Sequence, residues 1–168
     1  NMLENFDYDR YNVHVLIFNH TGEFMKYIPK EVNVLDEVVQ YANFRRTIKQ
    51  GIKDKQYGIS FVRTICKFVA SIKAKLNKVK EGAGYYQIQM ALRYSNLFLP
   101  RMNEEYDVAI SYAWPHDIIA NKVKAKKKIA WIHTDYSTLE IDNKIDLNIW
   151  EKFDFIISVS EECRSAFL

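Results

Sequence analysis

The sequence predicts an α/β fold with a mostly parallel sheet between layers of helices. Three short apolar runs each stop abruptly at polar residues, as buried parallel strands do: Tyr106–Ser111, Lys128–Ile132 and Phe155–Val159. Segments with helical spacing separate these runs, and strands that alternate with helices indicate a parallel sheet. A length of 168 residues suits one such domain. We therefore predict a single Rossmann-like three-layer domain over residues 1–168.

The N-terminal elements of this fold are short. Residues 1–6 are predicted to be the tail of a helix, Val13–Phe18 a strand, and Val32–Leu35 a brief second strand. A doubly wound domain usually opens with a strand and a glycine-rich turn into its first helix. That signature is not found in these residues. The sequence therefore predicts a sheet that lacks its first strand.

The middle of the chain is predicted to be helical, as an insertion over roughly residues 36–100. Asp36 is expected to cap a helix that runs to Gln56, and a second helix follows Gly58. The second helix carries apolar residues at helical spacing for five turns. They are Val62, Ile65, Cys66, Val69, Ile72, Leu76 and Val79. A third helix, from Tyr85 to about Leu99, is expected to stop at Pro100.

The remaining elements alternate with the three strands. We predict a loop over Tyr112–Pro115, a short helix over His116–Ala125 and a partly helical segment over Leu139–Lys152. Ser160 is expected to N-cap a last helix, because a serine hydroxyl accepts a hydrogen bond from a free N–H of the first turn.

The charge of the chain is unevenly distributed. The net charge is +3, yet residues 36–80 carry 11 Lys or Arg against 3 Asp or Glu. Basic side chains beside an apolar stripe over residues 59–80 predict docking on an anionic membrane surface. The alternative is a solvated helix whose apolar stripe faces the domain core. Nucleic acid is not an expected partner, because aromatic and basic residues do not alternate there and no known motif is present.

The two cysteines, Cys66 and Cys163, lie far apart and form no Cys-x-x-Cys pair. This spacing argues against structural zinc and favours a reduced, cytoplasmic location. No apolar run approaches the ~18–20 residues of a spanning helix. The first residues lack the basic stretch and apolar core of a signal peptide. A peripheral location on the inner face of the plasma membrane is a further hypothesis.

Candidate site residues follow the predicted strands, because ligands of open α/β sheets bind outside the carboxyl ends of the strands. His133 and Asp135 follow the second run. An imidazole can donate and accept hydrogen bonds and move a proton in catalysis, whereas a structural histidine would bond a loop carbonyl. Asp135 is expected to orient His133, to hydrogen-bond a ligand, or to stabilise its own turn.

Two further groups follow the other strands. Tyr112, Trp114 and His116 cluster after the first run, where aromatic faces can pack on the apolar surface of a ligand and polar edges can form hydrogen bonds with it. Trp114 could equally fill the core under its loop. Ser160 and Glu161 open the last helix, where they are expected to contact a ligand or to serve as an ordinary helix start.

Four segments taken in order resemble the N-terminal domain of bacterial family 4 (group 1) glycosyltransferases, especially those that build capsular and other surface polysaccharides. They are Val15–Glu23, Tyr106–Tyr112, Lys127–His133 and Phe153–Glu161. The resemblance implies a GT-B architecture, in which two Rossmann-like domains face each other across a cleft. It also implies that His133 is the cleft histidine that contacts the transferring sugar or the acceptor.

The resemblance further implies a hexosyltransferase-type enzyme, retaining, that moves a sugar from a nucleotide-sugar donor to a glycan or lipid-linked acceptor without a cofactor or metal. Most donor contacts and a paired-glutamate motif would belong to a C-terminal domain, so this half alone is expected to be inactive. One alternative function stays open: a non-catalytic α/β binding module with a basic membrane- or partner-binding helix. A homodimer that covers the exposed sheet edges is a separate hypothesis about the oligomeric state.

Overall fold

The computed structural model describes residues 2–78 and 82–168 and has an α/β fold. The described residues form two small parallel sheets flanked by helices, an arrangement consistent with a Rossmann-like fold. The chain divides into two compact units, Asn1–Gln56 and Tyr57–Leu168. The helical insertion over residues 36–100 stays a prediction.

The first unit is built from short elements. Strands β1 (His14–Val15) and β2 (Asn33–Val34) pair in parallel, so the strand predicted over residues 13–18 is much shorter than expected. The predicted helix tail at residues 1–6 is a single 3-10 turn at Leu3–Asn5. The ring of Tyr41 is fully buried and packs on Phe18, with 6.0 Å between ring centroids.

The prediction of a continuous helix over residues 36–56 is wrong. Its place is taken by α1 (Val39–Ala42), a 3-10 turn and α2 (Ile48–Lys53). Arg46 interrupts the helical run with an extended backbone, and its guanidinium forms ion pairs with Glu37 and Asp54.

The backbone becomes helical again at Ile48. The side chain of Thr47 accepts a hydrogen bond from the N–H of Gln50 and so caps α2. The kink is therefore fixed by side-chain pairing on one side and by a cap on the other.

The second unit begins with two helices that pack against each other, α3 (Tyr57–Leu76) and α4 (Gly84–Ser95). The buried side of α3 is formed by mostly small or polar residues: Ile59, Ser60, Arg63, Cys66, Ala70 and Ala74. Of the seven apolar residues at helical spacing, Cys66 is buried, as the alternative of a core-facing stripe predicts. Ile65, Val69, Ile72 and Leu76 are exposed instead, and Val79 lies outside the described residues. Small side chains at the contact let two helix axes approach closely, which explains why they occupy the buried side.

The sheet of the second unit contains β3 (Glu105–Ser111), β4 (Lys124–Ile132) and β5 (Phe155–Ser158), all parallel, with β4 in the centre. Helices separate successive strands along the chain: α5 (Asp117–Lys122) lies between β3 and β4, and α6 (Asn143–Trp150) between β4 and β5. A last helix, α7 (Glu161–Phe167), follows β5. The three strands expected in this half are confirmed.

Strand β4 begins earlier than predicted, because residues 124–127 also belong to it and α5 ends at Lys122. The additional residues are mostly lysines whose charges are matched across the sheet. Lys126 pairs with Asp107 on β3 at 2.7 Å, and Lys127 pairs with Asp154 just before β5 at the same distance. Opposite charges on neighbouring strands stabilise pairing that lysine alone disfavours.

One face of this sheet is covered by the C-terminal helices. Ala130, Ile132 and Trp150 form a buried cluster, and half-buried apolar side chains pack against it: Tyr136, Phe153, Cys163 and Phe167. Because side chains alternate along a strand, the neighbours of Ala130 and Ile132 point to the other face. That alternation sends Trp131 toward the side on which the candidate site is found.

Candidate functional site at the carboxyl ends of the strands

The structure brings Tyr112 and His133 together at the carboxyl ends of β3 and β4. Their ring centroids are 4.6 Å apart. A third ring, that of Trp131, lies 5.7 Å from Tyr112 and is stacked on His133 at 6.0 Å with an interplanar angle of 17°. We call these three side chains the aromatic cluster.

The register of the sheet explains this convergence. Ser111, the last residue of β3, is paired with Ala130. The residues that follow this pair, Tyr112 and Trp131, are therefore neighbours. Trp131 and His133 are two residues apart and therefore share a face. Tyr112 is 49% exposed and His133 is exposed, so the cluster is open to solvent. Aromatic rings beside an exposed imidazole can stack on a ligand and hydrogen-bond its hydroxyl groups.

His116 has a different environment from the other predicted site residues. Its side chain is only 3% exposed, and its Nδ1 atom lies 2.8 Å from Oγ of the buried Ser111. Its ring packs on Trp150 at 4.7 Å and on Phe153 at 5.9 Å. Burial, reinforced by nearby His133, lowers the pKa of His116 to about 4, so the ring is neutral at physiological pH. The structure thus places His116 in the interior, where it supports the loop, and direct ligand contact stays a prediction.

Trp114 is half-buried, and its ring packs edge-to-face on Tyr85 of α4 at 5.5 Å. This contact anchors the loop over residues 112–115 to the helical layer. It matches the alternative in which Trp114 fills the space under its loop. A partial exposure still leaves an edge of the indole available to a ligand.

Asp135 stabilises its own turn. Its carboxylate accepts hydrogen bonds from the N–H of Ser137 at 2.9 Å and from the Ser137 hydroxyl at 2.6 Å, and it N-caps a 3-10 turn at Tyr136–Thr138. These bonds hold the pKa of Asp135 below its usual value, because they stabilise the charged form. The second expectation for Asp135, that it orients His133, stays a prediction.

Ser160 is the N-cap of α7, as predicted, and its hydroxyl accepts from the N–H of Cys163 at 3.2 Å. Glu161 is exposed and pairs with Arg164 at 3.1 Å, one helical turn away. Exposed pairs of this kind contribute little to stability. Ser160 therefore has a structural role here, and a ligand contact by either residue stays a prediction.

A second polar group lies beneath the helices and was missed in the sequence. Asp146 on α6 is buried, and it accepts hydrogen bonds from Trp150 Nε1 at 2.7 Å and from Gln89 Nε2 at 3.3 Å. Burial raises the pKa of Asp146 above its usual value despite these bonds. The neighbouring Asp142 caps α6, pairs with Lys73 of α3, and donates its N–H to Gln89 at 2.8 Å. The network therefore ties α3, α4 and α6 together.

A shallow depression of about 340 Å³ opens beside this network, between α4, α5 and α6. Asp117 and Lys152 are among its lining residues, and it contains none of the seven predicted site residues. Burial, with a smaller contribution from Asp146, raises the pKa of Asp117 to about 7. Within residues 2–78 and 82–168, no cluster of three or more His, Cys, Asp or Glu is arranged to hold a metal ion.

The fold and the aromatic cluster define an α/β protein with an open group of rings and an imidazole at its strand ends. No protein-family model, curated protein or solved structure matches the chain.

Proposed function

We propose that this chain is the acceptor-side half of a GT-B glycosyltransferase, which transfers a sugar from a nucleotide-sugar to a glycan or lipid-linked acceptor in cell-surface polysaccharide synthesis. The observation that carries the proposal is the aromatic cluster of Tyr112, Trp131 and His133 at the carboxyl ends of β3 and β4. That edge is where open α/β sheets bind their ligands.

The cluster has the chemistry that an acceptor sugar requires. A sugar ring presents apolar C–H patches on its faces and hydroxyl groups around its rim. Tyr112 and Trp131 provide ring surfaces for the patches, and His133 provides a donor and an acceptor for the hydroxyls. His133 is also the group best placed to contact the transferring sugar, since it is exposed at the strand end.

His116 and Ser111 act behind the cluster. Their hydrogen bond joins the two ends of the segment that carries Tyr112 and Trp114. A neutral, buried His116 next to His133 adds no positive charge to the site. In this proposal the diphosphate of the donor is bound by the second domain of the enzyme, and no step assigned to this half requires a metal.

The decisive experiment measures transfer of a radiolabelled sugar by the two-domain protein that carries this half. His133→Ala is expected to lower kcat by about 100-fold or more, the range typical of a lost general acid–base or sugar-contacting group. Trp131→Ala is expected to raise KM for the acceptor. The control is Glu105→Gln, at the opposite end of β3 and exposed.

Unchanged turnover in His133→Ala, with an unchanged circular dichroism spectrum, would overturn the role given to His133. Absence of any sugar transfer by the unmodified two-domain protein would favour the alternative of a non-catalytic binding module. The helix α3 gives that alternative a specific basis, and its exposed face leads to a separate inference.

A further inference from the structure

Helix α3 carries an apolar face that no described residue of the second unit covers. Six large side chains recur at spacings of four, four, three, four and four residues, and all are exposed: Tyr57, Phe61, Ile65, Phe68, Ile72 and Leu76. At 3.6 residues per turn, they fall within an arc of about 100°. Phe68 is 68% exposed and Leu76 is 77% exposed. We call this stripe the outer face of α3.

The outer face lies opposite the side of α3 that packs on α4. The buried side consists mainly of small or polar residues, including Cys66, Ala70 and Ala74. The helix is therefore anchored by its small residues, while its largest apolar residues face outward. A stripe of this size on a folded protein marks a surface that binds something.

The charges around the outer face identify its partner. Residues 57–78 contain five Lys or Arg and not one Asp or Glu. Arg63 is buried on the opposite side, and Lys73 is paired with Asp142. The remaining three lysines are exposed: Lys75 lies at one border of the stripe, Lys67 lies beyond that border, and Lys78 follows the end of the helix. A partner must therefore be apolar in its interior and negatively charged at its surface.

We infer that α3 lies in the plane of an anionic bilayer, with its outer face in the acyl–headgroup boundary and its lysines on the phosphates. Tyr57, Phe61 and Phe68 supply the aromatic rings that favour this boundary, and the exposed lysines supply attraction to anionic lipid. No helix among the described residues is long and apolar enough to cross a membrane. The contact is consequently a surface contact, not a span.

A second copy of the chain fits the outer face less well. A symmetric pair would place two acid-free, lysine-bordered stripes together, and like charges would meet at the rim. Nucleic acid also fits poorly, because the centre of the stripe offers phosphates no donors. A bilayer satisfies both requirements at once, since its acyl region takes the apolar residues and its headgroups take the lysines.

The test is flotation of the 168-residue chain with vesicles of phosphatidylcholine alone and of phosphatidylcholine with phosphatidylglycerol at a ratio of 3:1. We expect binding to the anionic vesicles. The variant Phe68→Glu/Ile72→Glu is expected to bind at least tenfold more weakly. Lys67→Gln/Lys75→Gln is expected to lose about fivefold per lysine on anionic vesicles, with the loss shrinking at high salt.

The matched control is Leu97→Glu, which places the same charge at a leucine that is 91% exposed and outside α3. It is expected to bind as the unmodified chain does. Circular dichroism and urea midpoints establish that each variant is folded, and exposed positions are chosen so that folding is retained.

Two results would overturn the inference. One is absence of binding to anionic vesicles by the unmodified, folded chain. The other is binding by Phe68→Glu/Ile72→Glu within twofold of the unmodified chain. If the unmodified chain binds no vesicles and is a dimer that this variant converts to a monomer, the outer face is instead the contact with a second copy. Vesicle binding is independent of sugar transfer, so this inference and the catalytic proposal can fail separately.

Discussion

The hydrogen bond between Ser111 Oγ and His116 Nδ1, at 2.8 Å, closes the loop over residues 112–115 directly behind the exposed rings of Tyr112 and His133. Both partners are buried, so neither has water as a substitute. The bond joins the last residue of β3 to the residue that precedes α5. The position of the aromatic cluster therefore depends on a pair of residues that need not touch a ligand.

Replacing Ser111 with alanine tests this support. The variant leaves His116 Nδ1 without its partner in the interior, and we expect unfolding to cost about 1–3 kcal/mol less than in the unmodified chain. Urea unfolding followed by tryptophan fluorescence measures the change. Ser137→Ala, at an exposed turn, is a suitable comparison and should change stability by clearly less.

The pKa of His116 makes stability depend on pH. The folded chain holds this pKa at about 4, below the ordinary 6.5, so the unfolded chain takes up a proton first as pH falls. The contribution is complete above pH 6.5 and is lost as pH falls toward 4, by up to about 3 kcal/mol. His116→Gln removes this dependence. Unfolding free energies measured from pH 7 to pH 4 should therefore fall more for the unmodified chain, and parallel curves would contradict the assignment.

Asp117 has the opposite pH dependence. Burial raises its pKa to about 7 from the ordinary 3.8, so the unfolded chain loses its proton first as pH rises. Stability from this residue is complete below pH 4 and falls between pH 4 and 7, by up to about 4 kcal/mol. In Asp117→Asn, the loss of unfolding free energy that His116 causes at low pH is no longer offset by a gain from Asp117. This variant should lose more stability on acidification than the unmodified chain does; an identical pH profile would count against the raised pKa.

Gln89 links two helix faces through both ends of its amide, which accepts from the N–H of Asp142 and donates to Asp146. Gln89→Leu leaves the N–H of Asp142 unpaired and removes one of the hydrogen bonds to the buried Asp146, which keeps its bond from Trp150, and we expect a loss of about 2 kcal/mol or more. Gln87→Leu, a half-buried position on the same helix, controls for the change in polarity. Equal losses in the two variants would show that the network adds nothing beyond burial.

Two substitutions distinguish a helix-capping role of Ser160 from a ligand contact. Alanine removes the hydroxyl that accepts from Cys163, with an expected loss of about 1 kcal/mol, while aspartate keeps an acceptor at the N-cap and should retain stability. Thermal unfolding measures both. A loss in sugar binding by Ser160→Asp without any loss in stability would point instead to a ligand contact.

The order of elements in the second unit is readable from the sequence because apolar runs that end at polar residues correspond to β3, β4 and β5. The N-cap role of Ser160 is readable for the same local reason, since a cap is defined by the residues beside it. Elements whose signal is local are the ones that the sequence predicts well. The start of β4 is an exception, because cross-strand pairing of Lys126 with Asp107 stabilises residues with low strand propensity.

The kink at Arg46 and the orientation of α3 depend on distant contacts. Arg46 pairs with Glu37 and Asp54, nine and eight residues away, and no local pattern indicates this. Helix α3 has apolar residues on more than one side, so its periodicity alone does not say which side is buried. Packing against α4 selects the side with Cys66, Ala70 and Ala74.

The candidate site is partly readable. Tyr112 and His133 follow parallel strands, whose carboxyl ends share an edge, and the structure places their rings together. Trp131 was missed because a tryptophan inside an apolar run is expected to be core, although its position two residues before His133 could have indicated a shared face. The depth of His116 depends on Trp150 and Phe153, which are distant in sequence.

The central position of β4 also sets an order of backbone protection against solvent deuterium. Ile129 and Ala130 are paired with strands on both sides, whereas the first half of β4 pairs with β3 alone and residues 131–132 pair with β5 alone. Amide exchange should therefore be slowest at residues 129–130 and faster toward Lys124. The backbone directly before Trp131 is then the last part of this sheet to open, which holds the start of the ring-bearing segment in place while the chain around it fluctuates.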